Sequence, residues 1–436
     1  MVYLHVVLLI GIIILAARLG GIGVGLAGGL GMAIAVFLFG IKPGEMPIDV
    51  ILIILSVILA LSAMQNTGGL RFMVQVAEKL LRNHPRYINF LAPLTTFVLT
   101  VLSGTAYTTL SVLKVIQEVA KSIGVRPSQP LTAAVVSCQI AITASPISAA
   151  TAAMYVVVEK MGVPYGDVLL VIVPTGFVAI CVAALVASRQ GGELLNDPIF
   201  IDRKEKGLIE VGIQDSKELP NSHLAKRAVY LFLASVVFIV TMLIFKPIIG
   251  HKIGSRDIII ITMFVTTLLI VVTCNVSLRS IKKASLFSDG TESLVVILGI
   301  AWLSGSIIGA YIPEIKEQAG EILRQYPALL ALVFFITSAA LFSHGAAAAL
   351  LIPIAASLGI EASTIVGAFV AMSAMYITNI YPTAAYAIAA DDTGSYMSKR
   401  WNGSYLVNHP FILPGLCGVG AALPVGFFLA NTFIGS

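Results

Sequence analysis

The stretch ITASPISAAT, residues 142–151, places four hydroxyl side chains and a proline inside a long apolar segment. Pro146 lacks a backbone N–H, and its ring collides with the preceding helical turn, so a helix must open near Ala144 and Ser145. Unpaired backbone groups cost several kcal/mol each in lipid, and such an opening survives only inside protein or beside water. The interruption therefore predicts a polar site within a membrane-spanning region.

The chemistry that this break offers is anion binding without a lysine or arginine. Where a new half-helix begins, its first N–H groups have no intrahelical partner and the positive end of the helix dipole points outward. Such a terminus binds anions, and Ser145 and Ser148 can add hydroxyl donors. The alternative is a simple kink whose freed carbonyl is satisfied by a neighbouring helix.

The chain contains three more places where a polar interruption in an apolar stretch predicts the start of a half-helix. The sequence NIYPT, residues 379–383, repeats the proline break in the second half, and two other apolar stretches are cut by small polar tips. If the four half-helix starts converge, they suit a ligand with two carboxylates. The candidate substrate-binding residues are Ser103, Gly104, Thr105, Ser145, Pro146, Ser148, Ser343, His344, Gly345, Asn379, Tyr381, Pro382 and Thr383.

A few other polar side chains lie in or beside the apolar segments. His344 can bind a carboxylate, carry a coupling proton, or pair with a backbone carbonyl. Gln139 is an uncharged amide within a predicted span and a further candidate for the site. Asp391 and Asp392 follow the second broken helix and are predicted to form a solvated inner loop.

Composition identifies the kind of element that must position these residues. The chain has 436 residues, 58% hydrophobic and 11% charged, whereas soluble domains carry about 25% charged residues. We therefore predict a polytopic membrane protein, with the apolar first 17 residues as a span and not a removable signal. The net charge of +5 comes without a basic and aromatic cluster, so no nucleic-acid partner is expected. The four cysteines lack metal-ligand spacing, and no metal or cofactor is expected.

Ten apolar runs have the length, about 20 residues, that a bilayer crossing needs. They lie near residues 2–17, 19–41, 47–65, 131–161, 165–187, 227–249, 257–275, 292–312, 361–390 and 408–432. Residues 87–122 and 327–358 are predicted to form re-entrant hairpins, each cut by a polar tip, with two ordinary spans in each place as the alternative. With the N-terminus outside, Lys and Arg concentrate on the inner side, as the positive-inside rule requires. Re-entrant hairpins and pairs of ordinary spans both fit this charge pattern.

The two halves of the chain repeat. EKLLRNHP at 78–85 resembles GEILRQYP at 320–327, and each is followed by an apolar hairpin, a polar tip and a proline-broken span. Five crossings and one hairpin per half place the second copy upside down, an arrangement typical of secondary transporters. We predict an all-α polytopic membrane protein of two inverted repeats, each of five transmembrane helices plus one re-entrant hairpin. Its parts are a first repeat at 1–187 with a broken helix at 131–161, a cytoplasmic linker at 188–226, and a second repeat at 227–436 with a broken helix at 361–390.

The run GGIGVGLAGG, residues 20–29, is rich in glycine. Gly21, Gly25 and Gly29 share one helical face, and small residues four apart allow close helix packing. We predict a packing seam or a dimer contact there. The run also fits the dinucleotide pattern G-x-G-x-x-G by letter, but it follows no predicted strand, and we interpret the match as chance.

Seven motifs, spread over nearly the whole chain, resemble those of one known family. They are ARLGGIGVGLAGGLG (17–31), EKLLR (78–82), ITASPISAA (142–150), LGIAWL (298–303), YPT (381–383), DDTG (391–394) and NHPFILPG (408–415). The chain resembles the anaerobic C4-dicarboxylate carriers of bacteria, the Dcu family, most closely its aspartate- and fumarate-handling branch. The resemblance implies a dimeric, elevator-like carrier of the bacterial inner membrane. It also implies that the serine–proline break at 145–146, the break at 381–383 and the two tips form the substrate site.

Two tip positions depart from the pattern that the resemblance suggests. The first tip reads SGTAY, where a second glycine is expected after the threonine, so that Ala106 is the departing residue. The second reads SHGA, where a glutamine is expected in place of His344. These departures indicate a difference in substrate preference or proton coupling.

The combined prediction is a secondary transporter of fumarate, succinate, malate and aspartate that works by exchange and alternating access. The alternatives are a proton- or sodium-coupled symporter of aspartate or another carboxylate, and, from another class, a passive anion channel. An enzyme is not expected, since the sequence has no His-Glu-x-x-His and no Gly-x-Ser-x-Gly motif. A homodimer in the bacterial inner membrane is expected, with both termini periplasmic.

Overall fold

The computed structural model describes the chain except for residues 1, 20–21, 45, 47, 210–221, 250–252, 312–321, 323–325, 342, 380, 398–399, 401, 407 and 436. The described residues fold into helices and include no β-strand, which confirms the all-α class. The first helices are α1 (Val2–Leu19), α2 (Ile22–Ala33), α3 (Ile48–Asn66), α4 (Gly69–Asn83), α5 (Ile88–Ser103), α6 (Tyr107–Ser122), α7 (Ser128–Ala144), α8 (Ala149–Val158), α9 (Tyr165–Ala187) and α10 (Pro198–Glu205). The others are α11 (Ser222–Ile249), α12 (Ser255–Thr273), α13 (Leu278–Ile281), α14 (Ser285–Val296), α15 (Trp302–Gly309), α16 (Pro327–Leu341), α17 (His344–Ser357), α18 (Ala362–Ala368), α19 (Pro382–Ala390) and α20 (Ile412–Phe433).

Eight helical segments of the described chain are long and apolar enough to cross a bilayer, and nine if one bent pair is counted as a span. Seven of the eight coincide with predicted spans, and so does the bent pair, Ala362–Ile377 with Pro382–Ala390. The exception is Pro85–Ser103, which the sequence assigned to a hairpin arm. The spans predicted at 2–17 and 19–41 are shorter apolar helices. The structure is that of a polytopic membrane protein.

The helices form two bundles. In the first bundle, α5 packs on α7, α7 on α9, and α9 along α20, while α16 packs on the segment that follows α18. In the second bundle, α3 packs on α12 and α14, α1 on α2, and α11 on α12. The helices from 88 to 187 and from 327 to 433 thus form one unit, and those from 2 to 66 and from 222 to 309 form the other.

Helix α7 is the centre of the first bundle. Every side chain from Pro130 to Ala144 is buried, and this segment includes the polar residues Thr132, Ser137, Gln139 and Thr143. A helix that is covered on all sides can carry polar groups only where partners are present. The polar residues of α7 therefore mark where other elements approach it.

A glycine seam holds the second bundle together. The α2 helix crosses the π-helical segment Ile297–Ala301 so closely that a Cβ added to Gly299 would lie 2.7 Å from the Cα atom of Gly25. A Cβ added to Gly28 would lie 2.8 Å from the Cα atom of Gly299. The predicted packing seam is therefore confirmed at Gly25 but does not include Gly29, and the alternative of a dimer contact stays a prediction. Gly21 lies outside the described residues, and an added Cβ on Gly29 would meet nothing within 4 Å.

The loop after α19 is not the solvated loop that the sequence suggested. Asp391 is buried, and its carboxylate accepts hydrogen bonds from the backbone N–H and the hydroxyl of Thr393 and from those of Ser395. Asp392 pairs with Lys121 at 2.7 Å, and its backbone oxygen accepts from Arg203 Nε at 2.8 Å. Four protein donors compensate the buried Asp391 charge, which explains how this loop tolerates burial.

The predicted linker at 188–226 contains a helix and ends earlier than expected. Helix α10 lies within it, and α11 already begins at Ser222, while residues 210–221 lie outside the described part. Arg126 forms an ion pair with Asp197, the residue that caps α10. The first part of the linker is thus attached to the first bundle.

Candidate functional site

The first proline break lies where the sequence predicted it. Helix α7 ends at Ala144, Ser145 is extended, and α8 starts after Ser148. The Ser148 hydroxyl accepts a hydrogen bond from the Thr151 backbone N–H at 3.1 Å, as an N-cap residue does. The Tyr165 hydroxyl donates to the backbone oxygen of Pro146, which supplies a partner for a carbonyl freed by the break.

The second break has the same form. The chain runs through two short 3₁₀ turns to Ile377 and restarts as α19 at Pro382, with a bend of 48°. Proline suits the first helical position because the N–H it lacks has no intrahelical partner there. Tyr381 precedes it in extended conformation and is half-buried. The Asn379 amide nitrogen donates to the backbone oxygens of Gly403 and Tyr405, so it faces the loop before α20 and not the start of α19.

The two tips each end one helix and begin another. Gly104 has a φ of +70°, a left-handed conformation that glycine adopts without strain. At the same tip, the Ser103 hydroxyl lies 3.2 Å from the Thr108 hydroxyl and donates to the backbone oxygen of Thr105 at 3.1 Å. At the second tip, Ser343 caps α17 by accepting from the Ala346 N–H at 3.2 Å.

The structure brings each tip against the first break. A Cβ added to Gly104 would lie 3.2 Å from the backbone oxygen of Ile147, inside the first break. A Cβ added to Gly345 would lie 3.0 Å from the Cβ atom of Ala149, the first residue of α8. Two tips from different halves of the chain therefore meet the same half-helix start.

Gln139 joins the second break to this group. Its Nε2 atom donates to the Thr383 hydroxyl at 2.8 Å, and its backbone oxygen lies 3.1 Å from His344 Nε2. Gln139 is fully buried, and its Oε1 atom has no hydrogen-bond partner in the described chain. One residue of α7 thus connects the start of α17, through its backbone oxygen, with the start of α19, through its side chain. The sequence offered one signal for this role, an amide in an otherwise apolar span.

The starts of α8, α17 and α19 and the first tip are therefore close neighbours through direct contacts. Asn379, one of the thirteen predicted residues, directs its side chain to another part of the fold. The group contains no lysine, arginine, aspartate or glutamate. Its positive potential comes from helix N-termini and from hydroxyl and amide groups.

The hydroxyls of the first break are engaged within the protein. Ser145 Oγ donates to the backbone oxygen of Val101 in α5 at 2.8 Å, and Ser148 Oγ donates to the Thr151 hydroxyl at 3.1 Å. Both serines are fully buried. Ser145 therefore fixes the end of α7 against the arm that leads to the first tip.

A cavity of about 120 Å³ lies between part of this group and the second bundle. Gly104, Thr105 and Ile147 line it on one side. Apolar side chains of α3, among them Ile54 and Ile58, line it on the other. Within the described residues, no three His, Cys, Asp or Glu side chains lie close enough together to hold a metal ion.

Comparisons with known proteins match nearly the whole chain to one family of membrane transporters. A family model described as "Anaerobic c4-dicarboxylate membrane transporter" matches residues 1–434. The C4-dicarboxylate transporter DcuA of Escherichia coli (strain K12) is 42% identical over 441 residues, with 99% of each chain covered. DcuA of Wolinella succinogenes is 40% identical over 439 residues with the same coverage, and the anaerobic C4-dicarboxylate transporter DcuB of Escherichia coli O6:H1 is 32% identical over 432 residues, with 96% of each chain covered.

Proposed function

Because the chain belongs to the anaerobic C4-dicarboxylate membrane transporter family, whose members are transporters and not enzymes, we propose that it carries four-carbon dicarboxylates across the bacterial inner membrane. Fumarate, succinate, malate and aspartate are the proposed substrates. They bind where the two breaks and the two tips meet.

The observation that carries this proposal is the meeting of four helix interruptions whose predicted site residues carry no charge. A dianion deep in a membrane protein needs compensating positive potential, and helix N-termini provide it without the desolvation cost of a buried cation. The junctions at Ser148, Ser343 and Pro382 each start a helix of nine or more residues. Starts that belong to different halves of the chain can hold the two carboxylates separately.

We also propose that each half contains a re-entrant hairpin and that the halves are inverted repeats. Helices α16 and α17 have 15 and 14 residues, about 21–23 Å at 1.5 Å per residue, which is short of a hydrocarbon core of about 30 Å. The packing is also mirrored between the halves. The second arm of each hairpin packs on the helix that follows the break in the other half, α6 on α19 and α17 on α8.

The two bundles suggest how transport proceeds. We propose that the first bundle moves as a block against the second, which remains as the scaffold, in an elevator-type cycle. The cavity between them is lined mainly by apolar side chains on the scaffold side, a surface along which a block can slide without breaking polar contacts. The scaffold would also form the homodimer, and both termini would lie in the periplasm.

Without substrate, the helix N-termini of the first bundle lack a partner anion, and the bundle would cross the membrane slowly. The protein would then work as an exchanger. In proteoliposomes, we expect labelled succinate to enter at least tenfold faster when fumarate is loaded inside than when the vesicles are empty. Vesicles without protein and vesicles loaded with a monocarboxylate are the controls.

Equal entry into empty and fumarate-loaded vesicles would contradict exchange. Entry that then requires a sodium or proton gradient would indicate symport, for which the unpartnered Gln139 Oε1 offers an acceptor for a coupling cation or proton. Flux that does not saturate with succinate would indicate a channel.

Ser145→Ala should weaken the apparent affinity for succinate about threefold to tenfold, because the first tip loses the hydrogen bond that holds it at the break. Ser137→Ala is the matched control, since Ser137 in α7 also donates to a carbonyl of α5, that of Pro93, at 2.6 Å. The measurement is KM for uptake in proteoliposomes containing equal amounts of folded protein. The same KM in both variants would assign Ser145 a packing role only.

A further inference from the structure

A second, larger cavity lies apart from the junctions, at the end of α9 and the beginning of α20. It has a volume of about 560 Å³. Three arginines line it, Arg126, Arg189 and Arg400. No residue of the proposed substrate site is among its lining residues. The cavity is thus a separate feature of the fold.

The arginines leave this cavity with excess positive charge. Arg126 is buried, with 5% exposure, and is held by the Asp197 carboxylate and, at 2.8 Å, by the backbone oxygen of Ser395. Within the described part of the chain, no carboxylate pairs with Arg189 or Arg400, and both side chains are exposed. Of the three guanidinium groups, Arg126 alone is paired with a carboxylate within the described residues.

The wall of the cavity also holds an unpartnered amide. Neither Nε2 nor Oε1 of Gln190 has a hydrogen-bond partner in the described residues, although both atoms are buried. The next residue, Gly191, has a φ of +78°, and an added Cβ would lie 2.7 Å from the Cδ and Nε atoms of Arg126. The left-handed φ favours glycine at this position, and its missing side chain lets the loop pack directly on Arg126.

We propose that this cavity binds a phosphate oxyanion, presented either by an acidic lipid headgroup or by a free phosphate-bearing anion. Guanidinium groups match phosphate geometry with paired N–H donors, and the Gln190 amide would gain a partner. Val186 and Leu413 add apolar wall on one side. Leu185 and Leu416 are exposed on the same two helices, where a lipid chain attached to a bound headgroup would lie.

The test compares arginine variants of the purified full-length protein in detergent. Arg189→Gln and Arg400→Gln remove the two unpaired charges and leave Arg126 in place. Arg279→Gln, an exposed arginine outside the cavity, is the matched control for loss of one positive charge. The probes are phosphatidylglycerol, phosphatidylcholine, and inorganic phosphate at constant ionic strength. The readouts are the melting temperature and the amount of phosphatidylglycerol retained in native mass spectrometry.

We expect phosphatidylglycerol or inorganic phosphate to raise the melting temperature of the unmodified protein and of Arg279→Gln by about 3 °C or more. The rise should fall by at least half in Arg189→Gln and Arg400→Gln. A rise with phosphatidylglycerol alone identifies a lipid headgroup, and a rise with inorganic phosphate identifies a free anion. Equal rises in all variants, or no rise with either probe, would overturn the proposal. Equal melting temperatures in phosphatidylcholine confirm that the variants are folded.

Discussion

Replacing Gly299 by valine should prevent the protein from accumulating in a folded form. The Cβ atom of the new side chain would lie 2.7 Å from the Cα atom of Gly25 and even closer to its carbonyl group, so two helix backbones would have to separate. Overpacking of side chains costs about 1–3 kcal/mol. The cost here should exceed that range because backbone cannot move aside as a side chain can. Size-exclusion chromatography of a fluorescent fusion should show aggregate and little or no monodisperse protein.

Gly305→Val is the matched control for the seam. Gly305 lies in α15, a few residues after Gly299, and an added Cβ would meet nothing within 4 Å. Both changes add the same side chain to the same apolar stretch, so the added hydrophobicity is equal. A monodisperse Gly299→Val protein with an unchanged melting temperature would show that the two helices do not cross as described.

Thr383→Val should lower the rate of succinate–fumarate counterflow at least tenfold while the protein remains folded. The substitution keeps the shape of the side chain but removes the acceptor for Gln139 Nε2 and leaves a buried N–H without a partner. That loss costs about 1–3 kcal/mol, enough for a change of tenfold or more if it falls on the substrate-bound state. The measurement is initial counterflow rate in proteoliposomes, normalised to reconstituted protein.

Thr132→Val separates a transport defect from a stability defect. Thr132 is also fully buried, and its hydroxyl hydrogen-bonds the Tyr396 hydroxyl at 3.2 Å, near the other end of α7. We expect a similar loss of melting temperature in both variants and less than a twofold change in transport for Thr132→Val. If both variants lost transport equally, the contact between Gln139 and Thr383 would have no special role in the substrate site.

The sequence predicted those features of the fold that depend on local chemistry. Pro146 and Pro382 force helix boundaries wherever they stand, and the structure ends α7 and begins α19 as they require. Small polar tips at Gly104 and Gly345 in apolar stretches likewise marked turns. These signals lie within a few residues of the feature that they cause.

Features that depend on distant partners were not predictable in this way. The seam uses Gly25 and Gly28 because Gly299 faces them, and no pattern within residues 20–29 contains that information. The direction of Asn379 is set by carbonyls in the loop near residues 403–405. Gln139 was recognisable as unusual, but its link to Thr383 depends on how the two halves of the chain pack.

The attachment of α10 to the first bundle has a consequence for the connection between the two halves. The ion pair of Asp197 with Arg126 fastens this short helix to the residues just before α7, and the hydrogen bond of Arg203 to the Asp392 carbonyl fastens it to the loop after α19. If the first bundle moves against the second, α10 moves with it. The connection from α10 to α11 must then accommodate the whole displacement. The distance between a fluorophore on α10 and one on α12, measured by energy transfer, would then change in each transport cycle.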